Sequence, residues 1–420
     1  MTLHPILAAL KKHKAGVTLI TLQIALTLAI VCNAVFIIGQ RMERIARPTG
    51  INEQNLFLIT QLWVGTAEGG DPASSDKLDA LLLSDLATLR KLPDVESVTP
   101  TNSLPLLNSS WTGSVSLKPD QSETAHTAYY FVGKDMLKTF GVRLLTGRGF
   151  NDTDITHRDF RGRAQPAVVI VTQALADKLF PKNDALGKPI YLNGSSTPST
   201  IVGIVERMQV PGTDSWTNNF TWYSVLIPTR LNAVFSRYAV RTRPGRLDAV
   251  MRATPQALYA ANPMRVIQSG ADYDDSTVHS FAEIRAHAYR ADRGMAILMG
   301  VICVILLGVT GAGIVGLTSF WVGQRHKQIG IRRALGARKR DILRYFQLEN
   351  LLIAGGGAVV GIALAISLNL WLIRHFEMER MPVWYVLFGV AVVLVLGQAA
   401  VFAPARRASN VPPVVATRSV

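Results

Sequence analysis

Four long apolar runs, at 17–39, 294–323, 351–373 and 383–403, constrain this 420-residue chain more than any other feature, and none of them contains Asp, Glu, Lys or Arg. The first run is 23 residues long. As a helix it reaches about 34 Å, enough for a hydrocarbon core of ~30 Å. The second is 30 residues long. At about 45 Å it exceeds the bilayer by ~15 Å, so one end is expected to project as a stalk. The third helix is expected to start slightly before its apolar run, giving 348–373. The short turn 374–382 makes it an antiparallel hairpin with 383–403. A cleaved signal peptide is the rival reading of the first run. Its apolar region would be shorter, about 7–15 residues, and would end in a small-x-small site. Residues 36–41 (Phe-Ile-Ile-Gly-Gln-Arg) offer no such site, so an uncleaved anchor is expected.

Composition agrees with a membrane protein: 49% of residues are hydrophobic and 17% charged, against about 25% charged in soluble domains. The net charge of +15 raises nucleic acid as a partner, but its distribution argues otherwise. Segment 1–16 holds Lys11, Lys12 and Lys14. Segment 324–347 holds Arg325, Lys327, Arg332, Arg333, Arg338, Lys339, Arg340 and Arg344 against Asp341. Segment 404–420 holds Arg406, Arg407 and Arg418. Together these account for +13 of the +15. Basic charge confined to short segments beside apolar spans is the positive-inside signal. It excludes nucleic acid as the expected partner and suggests membrane lipid instead. Four spans with Lys11–Lys14 inside put 40–293 outside and 324–347 and 404–420 inside, so all three basic segments fall on one side. The two cysteines, Cys32 and Cys303, lie inside apolar runs, leaving the large external segment without a disulfide.

The expected architecture is thus membrane α-helical, with four transmembrane helices and a large α+β extracytoplasmic domain at 40–293 between helices one and two. Within it, strands alternate with helices. Residues 78–92 read as a helix, with apolar residues at 78, 81, 82, 86 and 89. Residues 281–293 read as a helix running directly into the second span. Segments 51–104 and 225–280 are expected to form a first subdomain, with 105–224 inserted as a second.

The segment shows no catalytic constellation. Asp152-Thr-Asp-Ile-Thr-His157-Arg-Asp159 lacks the glycine and the terminal glutamate of a calcium loop, and reads as a solvated turn. Asp272-Tyr-Asp274-Asp275 with His279 reads as an N-terminal cap for the following helix. Neither a catalytic nor a metal site is expected. No phosphate-binding loop is present either: Gly187-Lys188 is followed by Pro189, which has no backbone N–H to give a phosphate. If ATP powers this chain, another chain hydrolyses it, and this one binds no cofactor.

Small residues recur at intervals of four in two spans: Gly308, Ala312 and Gly316, then Gly357, Gly361 and Ala365. Such rows let helices pack closely, either within one chain or at a dimer seam. In 324–347, Ile331 and Leu335 are four apart, as are Ile342 and Phe346, with Arg and Lys on the remaining faces. This pattern reads as short amphipathic helices at the cytosolic surface, broken near Gly336-Ala337. They would bind anionic lipid head groups or dock into a partner.

The run Ile329-Gly330-Ile331-Arg332-Arg333-Ala334-Leu335-Gly336-Ala337 resembles the signature after the second span in ABC-transporter permeases of the MacB/FtsX type. Glu349, Gly356-Gly357 and Gly361 resemble the start of that family's third span. Pro404-Ala405-Arg406-Arg407-Ala408, with Pro412 or Pro413, is similar to its C-terminal motif. Asp135–Phe150, Ala176–Phe180 and Leu186-Gly187-Lys188 resemble the MacB-type periplasmic domain. Where the family often has acidic residues, this chain has Gln324 and Gln328, which makes its loop more basic. The resemblance implies a bacterial inner-membrane permease subunit whose 329–337 segment couples to a separate ATPase carrying ATP and Mg. It implies a second permease, identical or paralogous, with a periplasmic adaptor and an outer-membrane channel as further partners. It also implies mechanotransmission: ATP-driven closure is relayed through the spans to the periplasmic domains for efflux or export. A lipoprotein-releasing or FtsX-like regulatory permease is the alternative output. A membrane-anchored sensor without ATP coupling is the alternative from another class.

Overall fold

The computed structural model describes residues 14–66, 72–109, 111–119, 121–159, 162, 165–182, 184–376 and 379–410. Most of the expected cytosolic N-terminal segment, with Lys11 and Lys12, and the end of the tail, with Pro412, Pro413 and Arg418, lie outside the described residues.

In chain order the elements begin with α1 (Lys14–Ala46), β1 (Leu56–Trp63), α2 (Pro72–Lys91), β2 (Val95–Pro100), β3 (Trp111–Ser116), β4 (Ala125–Phe131), α3 (Met136–Phe140), β5 (Leu144–Gly147), β6 (Thr156–Asp159), β7 (Val168–Thr172) and α4 (Gln173–Leu179). There follow β8 (Pro189–Leu192), β9 (Ser199–Val205), β10 (Ser224–Ile227), β11 (Thr229–Asn232), β12 (Phe235–Thr242), α5 (Leu247–Ala261), β13 (Arg265–Val266), β14 (Val278–Ser280) and α6 (Phe281–Ala288). The chain ends with α7 (Arg290–Gln324), α8 (His326–Ala334), α9 (Lys339–Phe376) and α10 (Val383–Ser409). It divides into two units, Arg47–Arg290 and the segments on either side of it.

The unit Arg47–Arg290 holds two main sheets. In the first, the order is β13-β1-β12-β2, with β14 also paired to β1, all antiparallel. Alternation puts Phe57 and Ile59 of β1 and Tyr238 and Val240 of β12 on one face. Leu82, Leu86 and Leu89 of α2 and Val250 and Leu258 of α5 cover that face and form its core. The second sheet has the order β5-β9-β7-β10-β4-β3-β8, and β8 also pairs β9, closing six of its strands into a ring. The ring is filled by Val115, Tyr129, Phe131, Val169, Val171 and their neighbours. A parallel ribbon of β6 and β11 pairs with neither sheet, though Leu231 of β11 packs against the core of the second. Residues 225–227, expected in the first subdomain, instead belong to β10 of the second sheet, parallel to β4.

In the other unit, four of the described helices are long and apolar enough to cross a membrane: α1, α7, α9 and α10. All exceed their apolar runs. α1 is the most buried of the four and α7 the least. The two polar breaks noted in the first run make contacts between helices. Asn33 Nδ2 donates to the Ala365 carbonyl at 3.1 Å, and Gln23 Nε2 to the Val309 carbonyl at 3.2 Å. The helix expected to run unbroken from 281 into the second span is interrupted. α6 ends at Ala288, capped by Tyr289, and α7 starts at Arg290.

Candidate functional site

The segment 324–347 divides differently from its sequence pattern. α8 is a separate short helix, whereas everything from Lys339 belongs to the third long helix, α9. Ile342 and Phe346 therefore do not lie on a surface amphipathic helix. Both are buried in the core of the helical unit. Four apolar residues spaced for one turn look the same whether they face lipid, a partner or a helix core.

α8 is anchored by one face and presents the other. Ile329 is buried in the same core, and Gly330 beside it is buried too. Arg333 Nη1 donates to the Ser409 carbonyl at 2.8 Å, tying α8 to the end of α10. On the opposite side Ile331 is 47% exposed and Leu335 83%. Exposure this high on two apolar residues one turn apart leaves an open apolar face on this side of the segment. Arg332 lies over the Tyr345 ring at 5.2 Å. Lys327, Arg338, Lys339 and Arg340, which flank the apolar pair in sequence, are exposed as well.

The end of α8 is set by glycine. Gly336 N–H donates to the Arg333 carbonyl at 3.2 Å and Ala337 N–H to the Arg332 carbonyl at 3.0 Å, the two bonds of a Schellman motif. Gly336 has φ of +97°, and nothing lies within 4 Å of where its Cβ would be, so conformation, not space, requires glycine there. Asp341 Oδ2 then accepts from Arg338 N–H at 3.0 Å, capping the start of α9. Of the residues implied for coupling, Ile329, Gly330 and Arg333 anchor the helix. Ile331, Arg332, Ala334 and Leu335 present its exposed side, and Gly336 and Ala337 end it.

The two small-residue rows part company. A Cβ on Gly357 would meet Ile24 Cγ2 at 2.7 Å and the Thr21 carbonyl at 3.0 Å; one on Gly361 would meet Leu28 Cδ2 at 2.9 Å and the Ala25 carbonyl at 3.0 Å. This row seats α9 directly on α1. Gly308, Ala312 and Gly316 are exposed, and nothing lies within 4 Å of a Cβ built on either glycine.

Two ion pairs at the helix ends escaped the sequence reading. Arg41 of α1 pairs with Asp292 of α7. Arg325, between α7 and α8, pairs with Glu349 of α9, Nη1 lying 3.1 and 3.0 Å from the two carboxylate oxygens. The clue available was opposite charges flanking neighbouring apolar runs.

The acidic segments of the large unit are used locally. Asn151 and Asp154 form a capping box. Arg148 pairs with Asp154 and holds its carboxyl below the usual range. Lys134 and Asp152 pair at 2.7 Å. A cleft of about 130 Å³ lined by Arg90, Lys134, Asp135, Asp152 and Arg230 has each of these charges in an ion pair. The cap of α6 is Ser280, in a box with Glu283, not the aspartates at 272–275, because serine directly precedes the helix. Tyr273 instead stacks between His279 and His287, 4.0 Å from each ring. Among the described residues, no group of three or more His, Cys, Asp or Glu is placed to hold a metal ion.

Comparison with known proteins matches two family models in succession. The MacB-like periplasmic core domain covers residues 17–258, and the FtsX-like permease C-terminal covers 300–413. Among curated relatives, the macrolide export ATP-binding/permease protein MacB of Chromobacterium violaceum is 26% identical over 87% of this chain and 52% of its own length. MacB 2 of Aeromonas hydrophila subsp. hydrophila is 27% identical over 99% of this chain and 59% of its own. The probable syringafactin export ATP-binding/permease protein SyfD of Pseudomonas syringae pv. syringae is 25% identical over 83% of this chain and 50% of its own. The chain thus spans about half the length of the curated relatives it matches.

Proposed function

The chain belongs to the MacB/FtsX-type family of ABC transporter permeases, and from that membership we propose that it couples ATP hydrolysis on a separate ATPase subunit to movement of its periplasmic domain, for efflux or export. In this reading Arg47–Arg290 stands in the periplasm between the first and second membrane helices, its two sheets forming two subdomains. Both termini and α8 lie in the cytosol of a bacterial inner-membrane protein. A second permease, a periplasmic adaptor and an outer-membrane channel complete the assembly. ATP and Mg reside on the ATPase.

The observation that carries the proposal is the split character of α8. One face is fixed into the helical unit through Ile329 and Arg333, and the other offers Ile331 and Leu335 to a partner. A helix so anchored passes a push on its exposed face into the helices behind it. A lipid-binding loop has no need of that anchorage. Export-type relatives named for different cargoes support a shared drive with variable output.

The test is co-purification of the chain with a co-expressed ABC ATPase subunit. Ile331→Asp with Leu335→Asp is expected to abolish association while membrane insertion and helix content are unchanged. Retained association would remove α8 as the docking element. Purified alone, the chain is expected to hydrolyse no ATP; robust hydrolysis would overturn the division of labour.

A further inference from the structure

Three of the membrane helices meet at glycine. α9 seats on α1 through Gly357 and Gly361, and a Cβ on Gly389 of α10 would strike Cys32 and Leu28 of α1. α7 is held otherwise. Its own small-residue row faces outward, and its closest glycine contact is Gly313 against the flexible amide of Gln23, 2.8 Å from a Cβ there. In a bilayer, apolar contact between helices exchanges for similar contact with lipid, so without close packing the polar contacts decide where a helix sits.

Those contacts fall at both ends and the middle of α7. Asp292 pairs with Arg41 at one end. Midway, Thr310 and Thr27 share a buried hydrogen bond of 2.7 Å, and Gln23 reaches the Val309 carbonyl. Just past the other end Arg325 grips Glu349, whose side chain is 3% exposed. Arg325 is also the one non-helical residue between α7 and α8, with φ −104° and ψ 11°. It is the swivel between the helix that presents the docking face and the long helix behind it. Its Nη1 lies 3.5 Å from the Tyr345 hydroxyl, and Arg332 of α8 covers the Tyr345 ring.

We propose that Arg325 and Glu349 are a positioning pair, a clasp that fixes this swivel so that displacement of α8 is passed to α7 instead of being absorbed at residue 325. Closed, it holds the inner end of α7 to α9. Opened, it leaves α7 free to pivot about its contacts at Thr310 and Asp292. The proposal rests on the reading of α8 as the docking helix, but the clasp itself is a property of the permease alone.

The test uses the full chain in lipid nanodiscs, with Cys32→Ala and Cys303→Ala and nitroxides at Phe320→Cys on α7 and Leu352→Cys on α9, both exposed positions. Electron–electron distances are expected to show one population. Glu349→Gln is expected to add a longer one, raising its occupancy by about tenfold or more, as loss of a charge-assisted bond implies. The exchange Arg325→Glu with Glu349→Arg is expected to restore the single population. Arg325→Lys keeps the charge but on a shorter side chain without the planar guanidinium; its expected occupancy is intermediate, and it keeps the measurement decisive if Glu349→Gln does not assemble. An unchanged distribution in folded Glu349→Gln or Arg325→Lys would overturn the clasp. With the ATPase bound, Glu349→Gln is expected to retain hydrolysis while losing the nucleotide-dependent change in the α7–α9 distance. If the ATPase never binds the wild-type chain, the functional reading fails while the clasp stands or falls on the distances.

Discussion

Replacing Asp85 by leucine tests how the first sheet of the large unit is held together. Asp85 lies on the apolar face of α2 and is 1% exposed. Its partner Arg265, on edge strand β13, has no exposed side-chain surface. Arg265 Nη1 donates to Asp85 Oδ2 at 2.9 Å. Nη2 lies 2.9 Å from Oδ1, an electrostatic contact without hydrogen-bond alignment. The Tyr238 hydroxyl donates to the same carboxylate at 2.9 Å, Gln61 bridges the pair, and the guanidinium lies 4.5 Å over the Trp63 ring. Asp85→Leu leaves a buried guanidinium without its counter-charge, which costs about 3–5 kcal/mol. In a unit of this size each kcal/mol lowers Tm by about 2–4 °C, so a fall of roughly 6–20 °C is expected. The double variant Asp85→Leu with Arg265→Met removes both charges and is expected to recover most of that loss. Thermal unfolding of the full chain in detergent, followed by tryptophan fluorescence, makes the measurement. A single variant within about 2 °C of wild type, or a double no better than the single, would refute the reasoning.

Helix packing gives a paired prediction. Gly361→Val drives a side chain into Leu28 and the Ala25 carbonyl and is expected to cost about 1–3 kcal/mol, read as lower thermal stability of the helical unit in detergent. A Cβ at Gly308 meets no described residue within 4 Å, so with Gly308→Val stability should hold while self-association weakens if that face seats a second permease. For pH, burial lowers the basicity of His279, with the charge of Glu283 opposing it in part. The folded state therefore takes up its proton less readily than the unfolded state. Stability is full above about pH 6.5, the unfolded value, and falls as pH drops below it. His279→Gln is expected to flatten that fall in Tm between pH 7.5 and 5.

The spans were legible because a run of more than twenty apolar residues has few alternatives. Their ends were not, since Arg41, Asp292 and Glu349 read as flanking charges until they are seen paired. Asp85 had a local signal that went unused: with Leu78, Leu82 and Leu89 it keeps helical spacing on the buried side of α2. β10 had none. Its partner β4 lies some 96 residues earlier, Ser224 opposite Ala128, and no local pattern encodes that pairing. The break at Tyr289 was equally silent, for Ala-His-Ala-Tyr-Arg-Ala-Asp contains neither glycine nor proline. The exposed apolar face of α8 was half legible. Spacing identified Ile331 and Leu335, but gave the same weight to Ile342 and Phe346, which the helical core takes up.

Hydrogen exchange on the permease reconstituted with its ATPase in nanodiscs, with and without a non-hydrolysable ATP analogue, tests the central claim most directly. Transmission through the permease is expected to change amide protection within Arg47–Arg290, at α6 among other elements, on adding nucleotide, and Ile331→Asp with Leu335→Asp is expected to abolish the change. Protection altered only in the ATPase and in 324–347, with the large unit unmoved, would contradict it.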